Sequence, residues 1–181
     1  LGSGELHLTP MLNLKDSFDV KLFYTITKEI AHLVKKYKGS LSGEHGDGRL
    51  RGEFIPIVIG EHNYQLCKEI KKVWDPNNIF NPGKIVNTVA MNSNLRYEID
   101  KKPKEISTIY NFSGTKGILR AAEKCNGSAD CRKSDLIGGT MCPSYRATRE
   151  EKNSTRARAN TLREFLTRSQ KTNPFDHHEI Y

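Results

Sequence analysis

Ser42-Gly43-Glu44-His45-Gly46-Asp47-Gly48-Arg49 is the stretch on which the reading turns. Its three glycines let the backbone pass close to a ligand and adopt positive φ. Between them stand one carboxylate and one imidazole. If the segment is extended, these adjacent side chains point to opposite faces, so one can hold a metal while the other faces a substrate. Upstream, Leu6-His7-Leu8-Thr9-Pro10-Met11-Leu12-Asn13-Leu14 alternates apolar and polar residues, the pattern of a half-buried strand. His7 on that strand offers a nitrogen ligand to the same metal. From the residues alone two readings stand side by side: a metal or acid–base site, and a plain turn near an ordinary histidine.

Between these segments, Asp16 reads as an N-cap, and Val20, Phe23, Thr27, Ile30, Val34 and Tyr37 follow at spacings of three and four. This is one stripe of a helix that ends at Gly39. Ser40-Leu41-Ser42 reads as a short strand entering the glycine-rich loop. A second helix spans about Glu61 to Trp74 and stops before Asp75-Pro76-Asn77-Asn78. Ile79-Phe80-Asn81-Pro82-Gly83-Lys84 then forms a turn of the kind that lies close against something. Residues 89–110 lack periodicity and read as a linker, while residues 111–181 are helical and basic.

The chain has 181 residues, 36 % of them hydrophobic and 28 % charged, as in an ordinary water-soluble globular protein. No apolar run approaches the roughly 20 residues of a membrane-spanning helix. The opening Leu1-Gly2-Ser3-Gly4-Glu5 has no signal-peptide pattern and no Met, and we read the chain as part of a longer polypeptide. Twenty-nine Lys and Arg against 21 Asp and Glu leave a formal charge of +8. The densest basic stretch, residues 146–171, is interleaved with Glu150, Glu151 and Glu164 and lacks alternating aromatics, so no nucleic-acid partner is expected.

Cys67 sits in a helical pattern and reads as a reduced, half-buried small hydrophobe. Cys125, Cys131 and Cys142 crowd together and read as metal ligands before cross-links. A bacterial-type iron–sulfur motif runs C-x2-C-x2-C-x3-C-P. Here its first and third positions are Cys125 and Cys131, the middle one is Ser128, and the closing Cys142-Pro143 is delayed by an insertion. Three thiolates cannot complete a four-iron cluster, so zinc bound with an extra histidine stays open on spacing alone.

The run from Ser42 to Arg49, followed by Asp75-Pro76-Asn77-Asn78-Ile79-Phe80-Asn81-Pro82-Gly83-Lys84-Ile85, resembles the C-terminal signature of the FAD-linked oxidases of D-2-hydroxy acids. Gly4-Glu5-Leu6-His7-Leu8-Thr9-Pro10 resembles the second half of that family's paired-histidine metal motif, whose first histidine would fall just before Leu1. The resemblance implies that His7 and Glu44 are ligands of a divalent metal, zinc, and that His45 is the general base. It implies that Asn81, Gly83 and Lys84 lie near FAD. The family's asparagine two positions beyond the metal histidine is Thr9 here, which leaves the substrate's identity open.

Cys142-Pro143-Ser144-Tyr145-Arg146-Ala147-Thr148-Arg149-Glu150-Glu151 and Ser154-Thr155-Arg156-Ala157-Arg158-Ala159-Asn160 resemble the 4Fe-4S ferredoxin-type domain fused behind certain of these oxidases. Asn173-Pro174-Phe175-Asp176-His177-His178-Glu179-Ile180-Tyr181 resembles the lead-in to a second cysteine motif. By this resemblance Cys125, Cys131 and Cys142 are cluster ligands awaiting partners from that second motif. The implied fold is α+β: residues 1–88 end a ferredoxin-like cap with a flavin-contacting C-terminal helix, 89–110 link, and 111–181 begin a small, mainly helical iron–sulfur domain. The implied enzyme oxidises D-lactate, D-2-hydroxyglutarate or glycolate and passes electrons through 4Fe-4S clusters to a quinone or another carrier. It would be cytoplasmic, or peripheral on the inner face of the membrane. The flavin-binding domain is not among these 181 residues, so the chain alone is expected to be inactive. The alternative from another class is a non-catalytic electron-transfer or zinc-stabilised interaction module.

Overall fold

Asp16 opens the first helix as its composition requires. Its carboxylate accepts from the Phe18 and Asp19 N–H groups at 2.9 and 3.1 Å, satisfying two donors that a helix start leaves without partners. In the computed structural model, which describes residues 4–138 and 142–178, helix α1 runs Ser17–Lys36. Lys38 adopts a left-handed φ of 56° and the Gly39 N–H returns to the Val34 carbonyl, so the helix closes one residue ahead of the expected glycine. Of the expected stripe, Val20 is buried and Phe23 packs on the core, whereas Tyr37 at the helix end is 73 % exposed.

The chain divides into two compact units, Leu1–Lys101 and Lys102–Tyr181. In the first, α1 packs on α2 (Ile55–Ile59), and α2 on α3 (Glu61–Trp74). A one-residue hinge joins the latter two: Gly60 at φ 86° ends α2 and precedes α3. Ala31, Phe54 and Met91 form one buried cluster, with Phe23, Tyr24, Leu41, Ile57 and Val58 against it. Phe54 is 1 % exposed and its ring meets that of Tyr24 at 5.5 Å. A phenylalanine buried so fully is worth about 3–5 kcal/mol against alanine. Ile55, Tyr64 and Val86 form a second cluster with Cys67 packed on it, the half-buried place expected for that thiol.

No strand occurs among the described residues, and this corrects the expected strands at 6–14 and 40–42. The alternating pattern of residues 6–14 is real, but it meets no second extended segment to exchange hydrogen bonds with, and a strand needs that ladder. Its apolar residues face outward accordingly: Leu6, Leu8 and Met11 are 86, 60 and 92 % exposed. Ser40 instead donates locally to the Ser42 carbonyl at 2.8 Å within a bend. The described chain is therefore helical and does not display the sheet of an α+β fold.

Residues 89–101, read in sequence as part of the linker, fold onto the first unit. Met91 is 4 % exposed and its N–H donates to Glu53 Oε1 at 2.5 Å. Asp100 donates from its N–H to the Lys15 carbonyl and accepts from the Ser17 N–H.

In the second unit α4 (Ile118–Glu123) packs on α6 (Thr155–Arg168), burying Leu119, Ala122 and Leu166. Ser154 caps α6 from a fully buried position, accepting from the Ala157 N–H at 3.0 Å. Helix α5 (Pro143–Thr148) carries proline in its first turn, where no N–H is missed. Residues 179–181, the end of the expected lead-in to a second cysteine motif, lie outside the described residues. Among the described residues no helix is long and apolar enough to cross a membrane.

Candidate active site

The glycine-rich loop bends at residues 43–45, and Gly46 and Gly48 take φ of 72° and 52°. The bend changes where the side chains go. Extended backbone would send Glu44 and His45 apart, but here His45 Nε2 lies 3.5 Å from Glu44 Oε1. The His7 and His45 rings approach to 5.3 Å between centroids, tilted by 51°. One donor atom from each of His7, Glu44 and His45 falls within 4.8 Å of the others, all on exposed side chains. Among the described residues this is the one group of three or more His, Cys, Asp or Glu side chains gathered closely enough for a metal ion.

His7 and Glu44 offer an imidazole nitrogen and a carboxylate oxygen, donor types of catalytic zinc sites, and a second imidazole, His45, stands beside them. Zinc bonds of about 2.0–2.2 Å need such donors within roughly 4.2 Å of each other. Small rotations of exposed side chains bridge the remaining gap. The loop and the segment carrying His7 meet at Gly43: a Cβ built there would stand 2.9–3.0 Å from the Glu5 side-chain carbons. A larger residue there would have to displace the Glu5 side chain.

Beneath the loop lies a pair that sequence reading missed. Arg51 Nε faces Asp47 Oδ1 at 3.5 Å, four residues apart, with both side chains about three-quarters buried. Burial pushes the Asp47 carboxyl above its ordinary range, and Arg51 pulls it partly back. The Arg51 guanidinium also donates to the Gly46 carbonyl. The signal was legible as an Asp–Arg pair at i, i+4, hidden behind the more conspicuous Glu44-His45.

Asn81, Gly83 and Lys84 sit on an exposed turn built by Asp75. The Asp75 carboxylate, 6 % exposed, accepts from the Ile79 and Phe80 N–H groups at 2.8 and 2.9 Å and from the Lys71 ammonium. Lys71 also reaches the Phe80 carbonyl, closing the turn from both sides. Within it Asn81 and Gly83 adopt φ of 47° and 67°, and Lys84 Nζ donates to Asn81 Oδ1 at 3.2 Å. The turn and the glycine-rich loop are joined directly: the Ile85 N–H donates to the Gly48 carbonyl at 2.9 Å.

The three clustered cysteines are each unbridged and do not gather into a metal-sized group among the described residues. Cys125 follows α4, Cys131 lies in the 3-10 turn Asp130–Arg132, and Cys142 precedes α5. Ser128 helps shape the turn before Cys131, its Oγ facing the Asp130 N–H at 3.5 Å. Cys142 is 3 % exposed, and its thiol is lowered to about 7, chiefly by the Thr155 hydroxyl and then by the Tyr145 N–H.

Residues 1–85 match the family model described as FAD linked oxidases, C-terminal domain. The chain is 35 % identical to a D-2-hydroxyglutarate dehydrogenase of Pseudomonas putida over 91 % of its own length and 16 % of the relative's. It is 31 % identical to one of Escherichia coli, again over 91 % of this chain and 16 % of that protein. A glycolate oxidase subunit GlcD of Bacillus subtilis matches at 27 % identity over 46 % of this chain and 18 % of its own. The chain thus spans about one-sixth of the length of the first two relatives. No solved structure matches it significantly. Residues 1–85, with the Glu44-His45 loop and the turn tied to it, are thus the part of the chain that is similar to the C-terminal domain of the FAD-linked oxidases.

Proposed function

We propose that this chain supplies the substrate-side portion of an FAD-dependent dehydrogenase that oxidises a D-2-hydroxy acid to the 2-oxo acid. D-2-Hydroxyglutarate, D-lactate and glycolate are its candidate substrates. The observation that carries the reading is the convergence of His7, Glu44 and His45 on one exposed face, hydrogen-bonded through Gly48 to the turn of Asn81, Gly83 and Lys84.

In this reading His7 and Glu44 hold a divalent metal, zinc. When bound, it polarises the substrate oxygens and lowers the pKa of the C2 hydroxyl, which lies far above neutrality in water. His45 accepts the hydroxyl proton, standing beside both ligands as a base must. FAD supplies the redox chemistry by accepting the C2 hydrogen as hydride. Asn81, Gly83 and Lys84 would contact the flavin in this reading, on a turn that the Ile85–Gly48 hydrogen bond ties to the loop of the base.

Cys125, Cys131 and Cys142 fit ligands of 4Fe-4S clusters completed by further cysteines of the same polypeptide. Three separated thiols do not make a cluster site of their own, and no electron step is derived through them. The electron acceptor in this reading is a quinone or a protein carrier. In this reading the first unit, Leu1–Lys101, belongs to the oxidase domain, and the second, Lys102–Tyr181, holds the ferredoxin-type portion.

The test is His45→Ala in the FAD-loaded enzyme, followed by stopped-flow bleaching of the flavin and by metal analysis. Flavin reduction by the hydroxy acid is expected to fall by about 100-fold or more with metal content unchanged. Unimpaired reduction removes His45 from the chemistry.

A further inference from the structure

The loop from Ser42 to Gly48 has little of its own to hold a shape. It carries three glycines, two of them at positive φ, and it is exposed at Gly43, Glu44 and His45. Its backbone is held from outside at the far end, where the Ile85 N–H donates to the Gly48 carbonyl, while near its start the Ser40 hydroxyl donates to the Ser42 carbonyl. Yet Glu44 and His45 must be presented to His7, which arrives on a separate segment.

Arg51 spans the loop from beneath. Its Nη2 donates to the Gly46 carbonyl and faces the Ser42 Oγ at 3.5 Å, so it touches the chain on both sides of Glu44-His45. Its Nε lies against the Asp47 carboxylate. The Nε and Asp47 Oδ1 atoms are buried, where a charge pair is screened little by solvent. The root of this side chain is rigid. The Arg51 N–H donates to the Asp47 carbonyl at 3.0 Å, and its own carbonyl accepts from the Phe54 N–H at 3.0 Å. Gly52 and Phe54, the next residues into the core, are both buried.

We propose that Arg51 is the positioning residue of the metal-binding loop, its guanidinium fixing Glu44 and His45 in register with His7. This assignment rests on the metal reading above. A planar guanidinium has donors on two edges and can face Asp47 and the Ser42–Gly46 pair at once. A lysine ammonium is a single point of charge on a flexible stem and cannot hold both edges.

The experiment uses the 181-residue chain and zinc alone. Zinc affinity is measured by calorimetric titration, and the His7–His45 contact by the NOE between their ring protons. Thermal unfolding is followed in parallel. Arg51→Ala is expected to weaken zinc binding about 10- to 100-fold, the usual cost of losing a group that orients a ligand. It is also expected to abolish the ring–ring NOE in the metal-free chain. Arg51→Lys, which keeps charge and stem, is expected to unfold at the wild-type temperature without recovering zinc affinity. It therefore carries the test if the alanine variant does not fold. Wild-type affinity in either folded variant overturns the assignment. If the wild-type chain takes up no zinc, the metal reading is left to metal analysis of the FAD-loaded enzyme. The NOE then decides Arg51 by itself: its survival in Arg51→Ala overturns the proposal, and its loss supports it.

Discussion

Gly52 stands at the joint between the loop and the core, and replacing it with alanine tests how tightly that joint is built. A Cβ there would lie 2.3 Å from Thr88 Cγ2, 3.0 Å from its Oγ1 and 3.2 Å from its Cβ. The first contact is impossible without movement. Rotating Thr88 about χ1 does not remove the third, because the β-carbon moves only with the backbone. Overpacking of this kind costs about 1–3 kcal/mol. For a unit of about 100 residues, 2 kcal/mol lowers the melting temperature by roughly 8–16 °C. Thr88→Ala removes the two nearer atoms, and the hydroxyl it deletes is buried with no partner among the described residues. Losing that hydroxyl relieves about 1–3 kcal/mol, against about 0.8 kcal/mol for the lost methyl, so the single variant stays near wild type or above it. The double variant should recover most of the Gly52→Ala loss, a coupling of about 1–2 kcal/mol. Thermal unfolding by far-UV circular dichroism measures the cycle, and peptide-resolved hydrogen exchange places the loss within residues 1–101. A Gly52→Ala chain that melts with the wild type, or a double variant no better than the single, refutes the packing argument.

Two further outcomes concern titrating groups. The Asp75 carboxyl is held below its ordinary range first by the Lys71 ammonium and then by the Ile79 and Phe80 N–H groups. Its stabilisation is therefore complete above the unfolded-state value of about 3.9 and drains away as pH falls through the lower folded value. Asp75→Asn should flatten that acid limb in urea melts taken across the range, and an unchanged limb would show the carboxylate to be idle. Cys142, lowered to about 7, should react with iodoacetamide along a pH profile centred there, slowly because it is buried. Thr155→Val should move that midpoint upward, read by mass spectrometry of the Cys142 peptide. A midpoint that stays in place would remove the hydroxyl as the cause.

The helices were legible where the determinants are local. Asp16 has a short carboxylate that reaches N–H groups two and three residues on, so the start of α1 is written in neighbouring residues. The end of α3 at Trp74 follows from Asp75-Pro76, since a residue before proline is driven out of the helical region. The strands failed for the opposite reason. Alternation along 6–14 states which residues share a face, while a strand also needs a partner that no local pattern supplies. Met91 shows the same blindness from the other side: one apolar residue in an aperiodic stretch carries no periodic signal, yet it occupies the core beside Phe54.

In the site, residue types were readable and directions were not. Glu44 and His45 were picked out by chemistry between glycines, but the extended backbone assumed for them set the two side chains on opposite faces. The bend at residues 43–45 puts them on one, and two residues far down the sequence support it. Thr88 lies against Gly52 and the Ile85 N–H holds the Gly48 carbonyl, so the segment after the Asn81–Lys84 turn adds two contacts to those of Arg51. The base and the turn assigned to the flavin are thereby parts of one hydrogen-bonded unit. A change that loosens the turn, such as loss of the Asp75 carboxylate, should therefore be felt at His45, although no side chain connects them. The path runs from the turn through the Ile85–Gly48 backbone hydrogen bond to the loop, and loss of His45-dependent flavin reduction in Asp75→Asn, with the fold retained by circular dichroism, would register it.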